Sequence, residues 1–125
     1  AEDNLELNGL SASQHRFERA DINTWLVDAA RNREQYDFIV LDPPTFSNSK
    51  RMSGTLDIRR DHQQLIEAAC VLLAQGGGIL FSTNARRFTL APGLERVATI
   101  FETTRQTVPA DFPRRPHRSW YMELK

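Results

Sequence analysis

The segment YDFIVLDPPTFSNSK, Tyr36 to Lys50, decides the fold. Its first half is an apolar, β-branched run that predicts a buried strand. Its second half forbids any regular element, because Pro43 and Pro44 have no N–H to donate and fix their own φ angles. A buried strand that stops on Asp42 and passes directly into two prolines and a run of small polar residues is a rigid corner.

Working outward, INTWLVDAARNR places Trp25, Leu26, Ala29 and Ala30 at helical spacing, and HRFERAD before it alternates as a short strand ending at Asp21. Downstream, PPTFSNSKRMSGT is a polar loop. From about Asp57 a helix carries Ile58, Leu65, Ile66, Ala69, Leu72 and Leu73 along one stripe and is expected to stop at Gly76 to Gly78. ILFST follows as a second buried strand. A short helix near Leu94 to Ala98, a strand within TIFETTRQTV and a final strand SWYMEL complete the chain. The order strand, helix, strand, helix, strand predicts an α/β fold with a parallel sheet flanked by helices, and the last two strands form an antiparallel pair at one edge.

The chain has 125 residues, enough for one domain that buries roughly two-thirds of its unfolded surface. Sixteen basic residues balance sixteen acidic ones, so attraction to nucleic acid has to be local rather than global. The single cysteine, Cys70, excludes an internal disulfide and a cysteine-based zinc site, and suits a reducing cytoplasm. No apolar run approaches the roughly 18 residues of a membrane span. AEDNLELNGL has the pattern of the latter half of a helix capped at Asn8-Gly9, which is how a fragment of a longer chain would open.

Ligands of open α/β sheets bind beyond the carboxyl ends of the strands. That places Asp42, Pro43, Pro44, Thr45 and Phe46 in the site, with the connections that begin at Asp21 and at Ser82-Thr83-Asn84 converging beside them. The proline carbonyls and the Asp42 carboxylate make a wall of acceptors suited to the N–H groups of a planar base. Phe46 offers a stacking face worth about 1–3 kcal/mol per base. The plainer alternative is a strand terminator with a solvated acid.

DPPTFSNSKR, followed by RDHQQLI and GGGILFSTNARRF, closely resembles the C-terminal half of the bacterial bifunctional 23S rRNA guanine methyltransferases, the guanine-N7 methylating module of the class I S-adenosylmethionine-dependent fold. The resemblance runs through nearly the whole chain, to the closing HRSWYMEL. It implies a Rossmann-like sheet that would be incomplete here, a single C-terminal portion of a catalytic domain over residues 1–125, with upstream domains in the same parent chain. It implies S-adenosylmethionine as cofactor and 23S rRNA as substrate. Asp42 to Phe46 would face both the transferred methyl group and the target base. Asp21 would approach the adenine amino group of the cofactor while Ile22 packs against its ring, although Asp21 also stands where a helix N-cap belongs. Ser47, Asn48, Lys50 and Arg51 would lie on the RNA side, as would Asn84, Arg86 and Arg87 after the next strand and Arg114, Arg115, His117 and Arg118 in the late basic loop. For the late loop, a merely solvated surface is the alternative.

One departure from the resemblance is serious. The glycine-rich turn that wraps the cofactor's methionine and the acid that grips its ribose would precede AEDNLELNGL. Gly76 to Gly78 cannot substitute, because they follow a helix and precede a strand, the reverse of a cofactor-binding glycine loop. The missing strands would lie between those ending at Asp21 and Asp42, which predicts an atypical sheet or a homo-oligomer that covers the exposed edges. A non-catalytic RNA-binding module is the reading from a different class. Among targets, cytosine C5 would need a thiol in a loop at the active end, whereas Cys70 sits on a helix stripe, and guanine N2 stays open. A nicotinamide-dependent oxidoreductase would need a dinucleotide fingerprint, which the sequence lacks.

Overall fold

The computed structural model describes residues 2–47, 55–112 and 114–125. Four strands form the main sheet: β1 (Tyr36–Leu41), β4 (Leu73–Thr83), β5 (Ala98–Glu102) and β6 (Arg118–Leu124), in the spatial order β1-β4-β6-β5. β1 and β4 are parallel, and β6 runs antiparallel to both β4 and β5. The expected α/β fold and the antiparallel pair at one edge are therefore both present. A second, two-stranded ladder joins β2 (Phe46–Ser47) to β3 (Leu56–Asp57) across the polar loop.

Among the described residues, the helices cover one face of the main sheet. Ile79, Phe81, Thr83, Trp120 and Met122 alternate inward and are all buried, as the period of two along a strand requires. They meet α2 (Ile22–Arg31) and α3 (Ile58–Cys70), whose Leu26, Ala29, Leu65, Ile66 and Ala69 complete one apolar cluster. A single turn of 3-10 helix, Pro92–Arg96, adds the fully buried Leu94. Phe81, Phe88 and Trp120 pack as an aromatic trio with ring centroids 5.5–5.8 Å apart. On the opposite face Phe38, Val40 and Phe101 are 54%, 63% and 51% exposed, and Phe38 stacks on Tyr121. Gly78 lies beneath that ring: a Cβ there would come within 2.5 Å of the Tyr121 hydroxyl.

Several expectations are corrected. Residues 15–21 are not a strand, so no strand ends at Asp21 and β1 is the sheet's edge. The side chains of HRFERAD pair locally instead: Arg16 bridges Glu18 and Glu34, and the Trp25 indole donates to Glu18. α3 ends at Cys70 rather than at the glycines, because Leu72 is drawn out of the helix when its carbonyl accepts the Tyr36 N–H at 2.8 Å. Gly76 to Gly78 lie inside β4, where Gly76 at φ +78° supplies the irregularity that interrupts the β1 register. A conformation in that region is open to glycine at little cost. The helix expected at Leu94 to Ala98 is the 3-10 turn, and after β5 the chain forms α4 (Thr104–Thr107) rather than continuing as a strand. α1 (Glu2–Leu7) does end before Asn8 and Gly9, the latter at φ +68°. No described helix is long and apolar enough to cross a membrane.

Candidate functional site

The corner begins where β1 ends. Asp42 is exposed, Pro43 and Thr45 are half-buried, and Pro44 and Phe46 are exposed, Phe46 by 57%. Among the described residues nothing donates to the carbonyls of Pro43 or Pro44. Three hydrogen bonds among the described residues fix the corner. Ser82 Oγ, at the carboxyl end of β4, donates to Asp42 Oδ1 at 2.6 Å. Thr45 Oγ1 donates to Asn84 Oδ1 at 2.8 Å, and the Thr45 carbonyl accepts the Ile58 N–H at the start of α3 at 3.1 Å. The short Ser82 bond is charge-assisted and leaves the second Asp42 oxygen unengaged by it.

Asp42, Pro43, Pro44, Thr45, Phe46, Ser82 and Asn84 together line a cleft of about 920 Å³, closed on another side by Pro116 and His117. The sequence assigns Asp42 to Phe46 and Asn84 to the site, begins a converging connection at Ser82 and puts His117 in the late basic loop on the RNA side, whereas Pro116 carries no such expectation. No sequence pattern gives the position of Pro116 or His117, because it depends on how the loop before β6 folds back.

The remaining assigned residues fall in three groups. Ser47 pairs with Leu56 in the small ladder beside the cleft, whereas Asn48, Lys50 and Arg51 lie outside the described residues. Arg86, Arg87, Arg114 and Arg115 are exposed, and Arg87 turns the chain at φ +53°. Arg118 is committed internally: it donates to both Glu102 oxygens and to the Phe88 carbonyl, and its guanidinium lies 4.7 Å from the Trp120 ring centroid. That guanidinium, with the Thr104 hydroxyl, holds the Glu102 carboxyl below its ordinary range.

Asp21 is the N-cap of α2, its Oδ1 accepting from the Thr24 N–H at 3.1 Å. Its other oxygen, Oδ2, is buried and has no partner among the described residues. A buried carboxylate oxygen without a donor is costly unless a ligand supplies one. Ile22 lies beside it and lines two grooves with Trp25 and Tyr36. Cys70 is buried in α3, and burial pushes its thiol up, away from the reactive thiolate.

The whole chain superposes on solved proteins of one kind. SMU.776, assigned as a methyltransferase and crystallised with SAH, matches at a TM-score of 0.76 with 21% identity over 98% of this chain and 35% of its own. A SAM-dependent methyltransferase from Agrobacterium tumefaciens matches at 0.70, with 17% identity over 100% of this chain and 44% of its own. The chain has the Rossmann-like methyltransferase fold. No protein-family model matches it. By sequence it is 47% identical over 124 residues to the ribosomal RNA large subunit methyltransferase K/L of Pseudomonas putida strain W619, and 42% identical over 124 residues to that of Marinobacter nauticus. These alignments cover 98% of this chain but only 16% and 17% of the relatives, so the chain spans a small part of their length. Within the methyltransferase fold, the Asp42 cleft occupies the carboxyl ends of β1 and β4, where open α/β sheets bind ligands.

Proposed function

We propose that this chain is the C-terminal portion of an S-adenosylmethionine-dependent methyltransferase domain that modifies guanine, at N7, in 23S rRNA. The observation that carries the reading is the Asp42 to Phe46 corner, held by Ser82, Asn84 and the start of α3 at the rim of an open cleft. The relatives' names supply the ribosomal RNA, and the neighbours' names supply the cofactor.

The residues present fit one end of that cofactor. Asp21 Oδ2 is a buried acceptor awaiting a donor, which the exocyclic amine of adenine provides, and Ile22 stands beside it to pack on the ring. The cofactor, when bound, supplies an electrophilic methyl group on a sulfonium. The chain's own contribution is alignment, which accounts for much of the rate in such displacements. Asp42 and the proline carbonyls orient the base through its N–H groups, and Phe46 stacks on its face. Guanine N7 has a free lone pair, so no side chain has to remove a proton before transfer. The Asp42 carboxylate offsets the positive charge that develops on the ring. The exposed Arg86, Arg87, Arg114 and Arg115 neutralise RNA phosphates around the cleft, with binding that weakens as salt rises. Cytosine C5 chemistry is disfavoured because no cysteine lines the cleft and Cys70 is buried elsewhere.

The unpaired edge of β1 is the place where further strands join the sheet, from upstream parts of a longer chain or from a second copy. The test uses a longer protein that carries this segment in its natural chain, labelled S-adenosylmethionine and undermethylated large-subunit rRNA, with mass spectrometry of the digested nucleosides. Label in 7-methylguanosine that Asp42→Ala abolishes is the expected result. Label in N2-methylguanosine or 5-methylcytidine overturns the assignment of the target atom, and no label in any nucleoside overturns the enzyme reading in favour of a binding module.

A further inference from the structure

The cleft has a second wall whose construction is unlike that of the basic loop it belongs to. Arg114 and Arg115 are exposed, yet His117, two residues on, is half-buried and lines the cleft with Asp42 and Phe46. Its Nε2 lies 2.9 Å from Thr107 Oγ1. Thr107 Oγ1 is in turn 2.7 Å from Ser119 Oγ, and Ser119 Oγ is 3.0 Å from Thr103 Oγ1. The base of this hydroxyl chain is fixed by the sheet, because the Thr103 N–H donates to the Ser119 carbonyl at 2.9 Å where β5 and β6 meet. Ser119 itself is buried. A loop histidine that served only as a diffuse counter-charge for phosphate would need none of these contacts. Chains of hydrogen bonds of this kind hold a side chain in one orientation.

We propose that His117 is a substrate-contacting residue that distinguishes guanine from adenine in the cleft, with Thr107 as its positioning residue; the inference rests on the guanine reading above. Nδ1 has no partner among the described residues, so it is the polar atom left for a ligand. The Thr107 hydroxyl donates its one proton to the Thr103 carbonyl at 3.2 Å, so it accepts from Nε2–H, and Nδ1 is left as an acceptor. Guanine presents donors, N1–H and the C2 amine, on its Watson–Crick edge, where adenine has the bare acceptor N1 and no amine at C2. An acceptor at Nδ1 therefore bonds guanine without occupying the N7 lone pair and meets a second acceptor in adenine.

The test titrates the 125-residue chain with short single-stranded RNAs, uridine-flanked, that carry one central guanine, adenine or cytosine, following the His117 ring by NMR. The guanine oligomer is expected to bind about fivefold or more tightly than the adenine one, the worth of one well-made hydrogen bond, and to shift the His117 ring resonances. His117→Ala is expected to reduce that ratio to near one, and Thr107→Val to lower it part-way at unchanged melting temperature, which a purely structural role would not do. If His117→Ala melts early, His117→Asn takes its place. Guanine preference that survives both His117 variants but is lost in Asp42→Ala overturns the role of His117 and leaves the guanine reading standing. No guanine preference in the unmodified chain overturns both.

Discussion

The most decisive test of the architecture is at His62, buried in α3 at 4% exposure. Its Nδ1 lies 2.8 Å from the Ile58 carbonyl, and its Nε2 accepts the Ala91 N–H at 2.9 Å. The ring meets Phe88 edge-on, centroids 4.7 Å apart. One side chain thus ties α3 to the loop that leaves β4 through Asn84 and returns at Ala91. His62→Ala removes the acceptor of a part-buried N–H, which costs about 1–3 kcal/mol, and empties the space against Phe88, for which large-to-small core changes cost about 2–5 kcal/mol. Because the two losses overlap, about 3–5 kcal/mol in sum is expected. A domain of this size has only about 6–19 kcal/mol in total, at roughly 0.05–0.15 kcal/mol per residue. His62→Phe separates the two terms, since it refills the space but cannot accept from Ala91. Urea denaturation followed by circular dichroism gives both values, and hydrogen exchange at the Ala91 amide reports the lost bond directly. A cost below about 1 kcal/mol for His62→Ala, or His62→Phe at full stability with unchanged Ala91 exchange, would refute the reasoning.

Two further substitutions read other parts of the argument. Asp21→Ala should lower stability by about 0.5–2 kcal/mol through loss of the α2 cap, while Asp21→Asn should hold within a few tenths; equal losses in urea titrations would mean that the cap bond to Thr24 is not what Asp21 contributes. Glu102 has a folded pKa held below its unfolded value by Arg118 and Thr104, so its contribution is present above the unfolded carboxyl pKa of about 4.3 and is lost as pH falls through the lower folded value. Glu102→Gln should therefore flatten the acid limb of the stability profile between about pH 5 and pH 3. Melting curves across that range that run parallel in both proteins would contradict the pairing.

Much of the fold was legible because the signals were local and periodic. α2, the body of α3 and the ILFST part of β4 all follow from runs whose buried positions alternate by two or recur by three and four, whereas β1 forms where expected but is an edge strand with no buried residue, not the buried strand its apolar run predicts. The failures have physical causes that single-sequence patterns do not contain. HRFERAD alternates well enough for a strand, but among the described residues no strand pairs with it, and its charges find Glu34 and Trp25 instead. Leu72 and Leu73 fit the α3 stripe, yet a long-range bond from Tyr36 takes the Leu72 carbonyl and starts β4 early. The glycines have the pattern of a stop, while the sheet uses them for a bend and for the close approach of Tyr121.

The site divides along the same line. Residues that follow a strand end directly, such as Asp42 and Asn84, could be placed from sequence, because a parallel sheet delivers strand ends to one rim. Residues that reach the rim by another route could be put on the RNA side only as a loop, without a position. His117 is 75 positions from Asp42 in the sequence and arrives beside it only because β6 runs antiparallel to β4, which brings the segment before β6 to the rim where β4 ends. The pairing of Thr83 with Arg118 makes this concrete: the residue after Thr83 is Asn84, the residue before Arg118 is His117, and both line the cleft. The reversed last strand, and not any sequence motif, is therefore what makes a two-walled site from a corner that is rigid but one-sided.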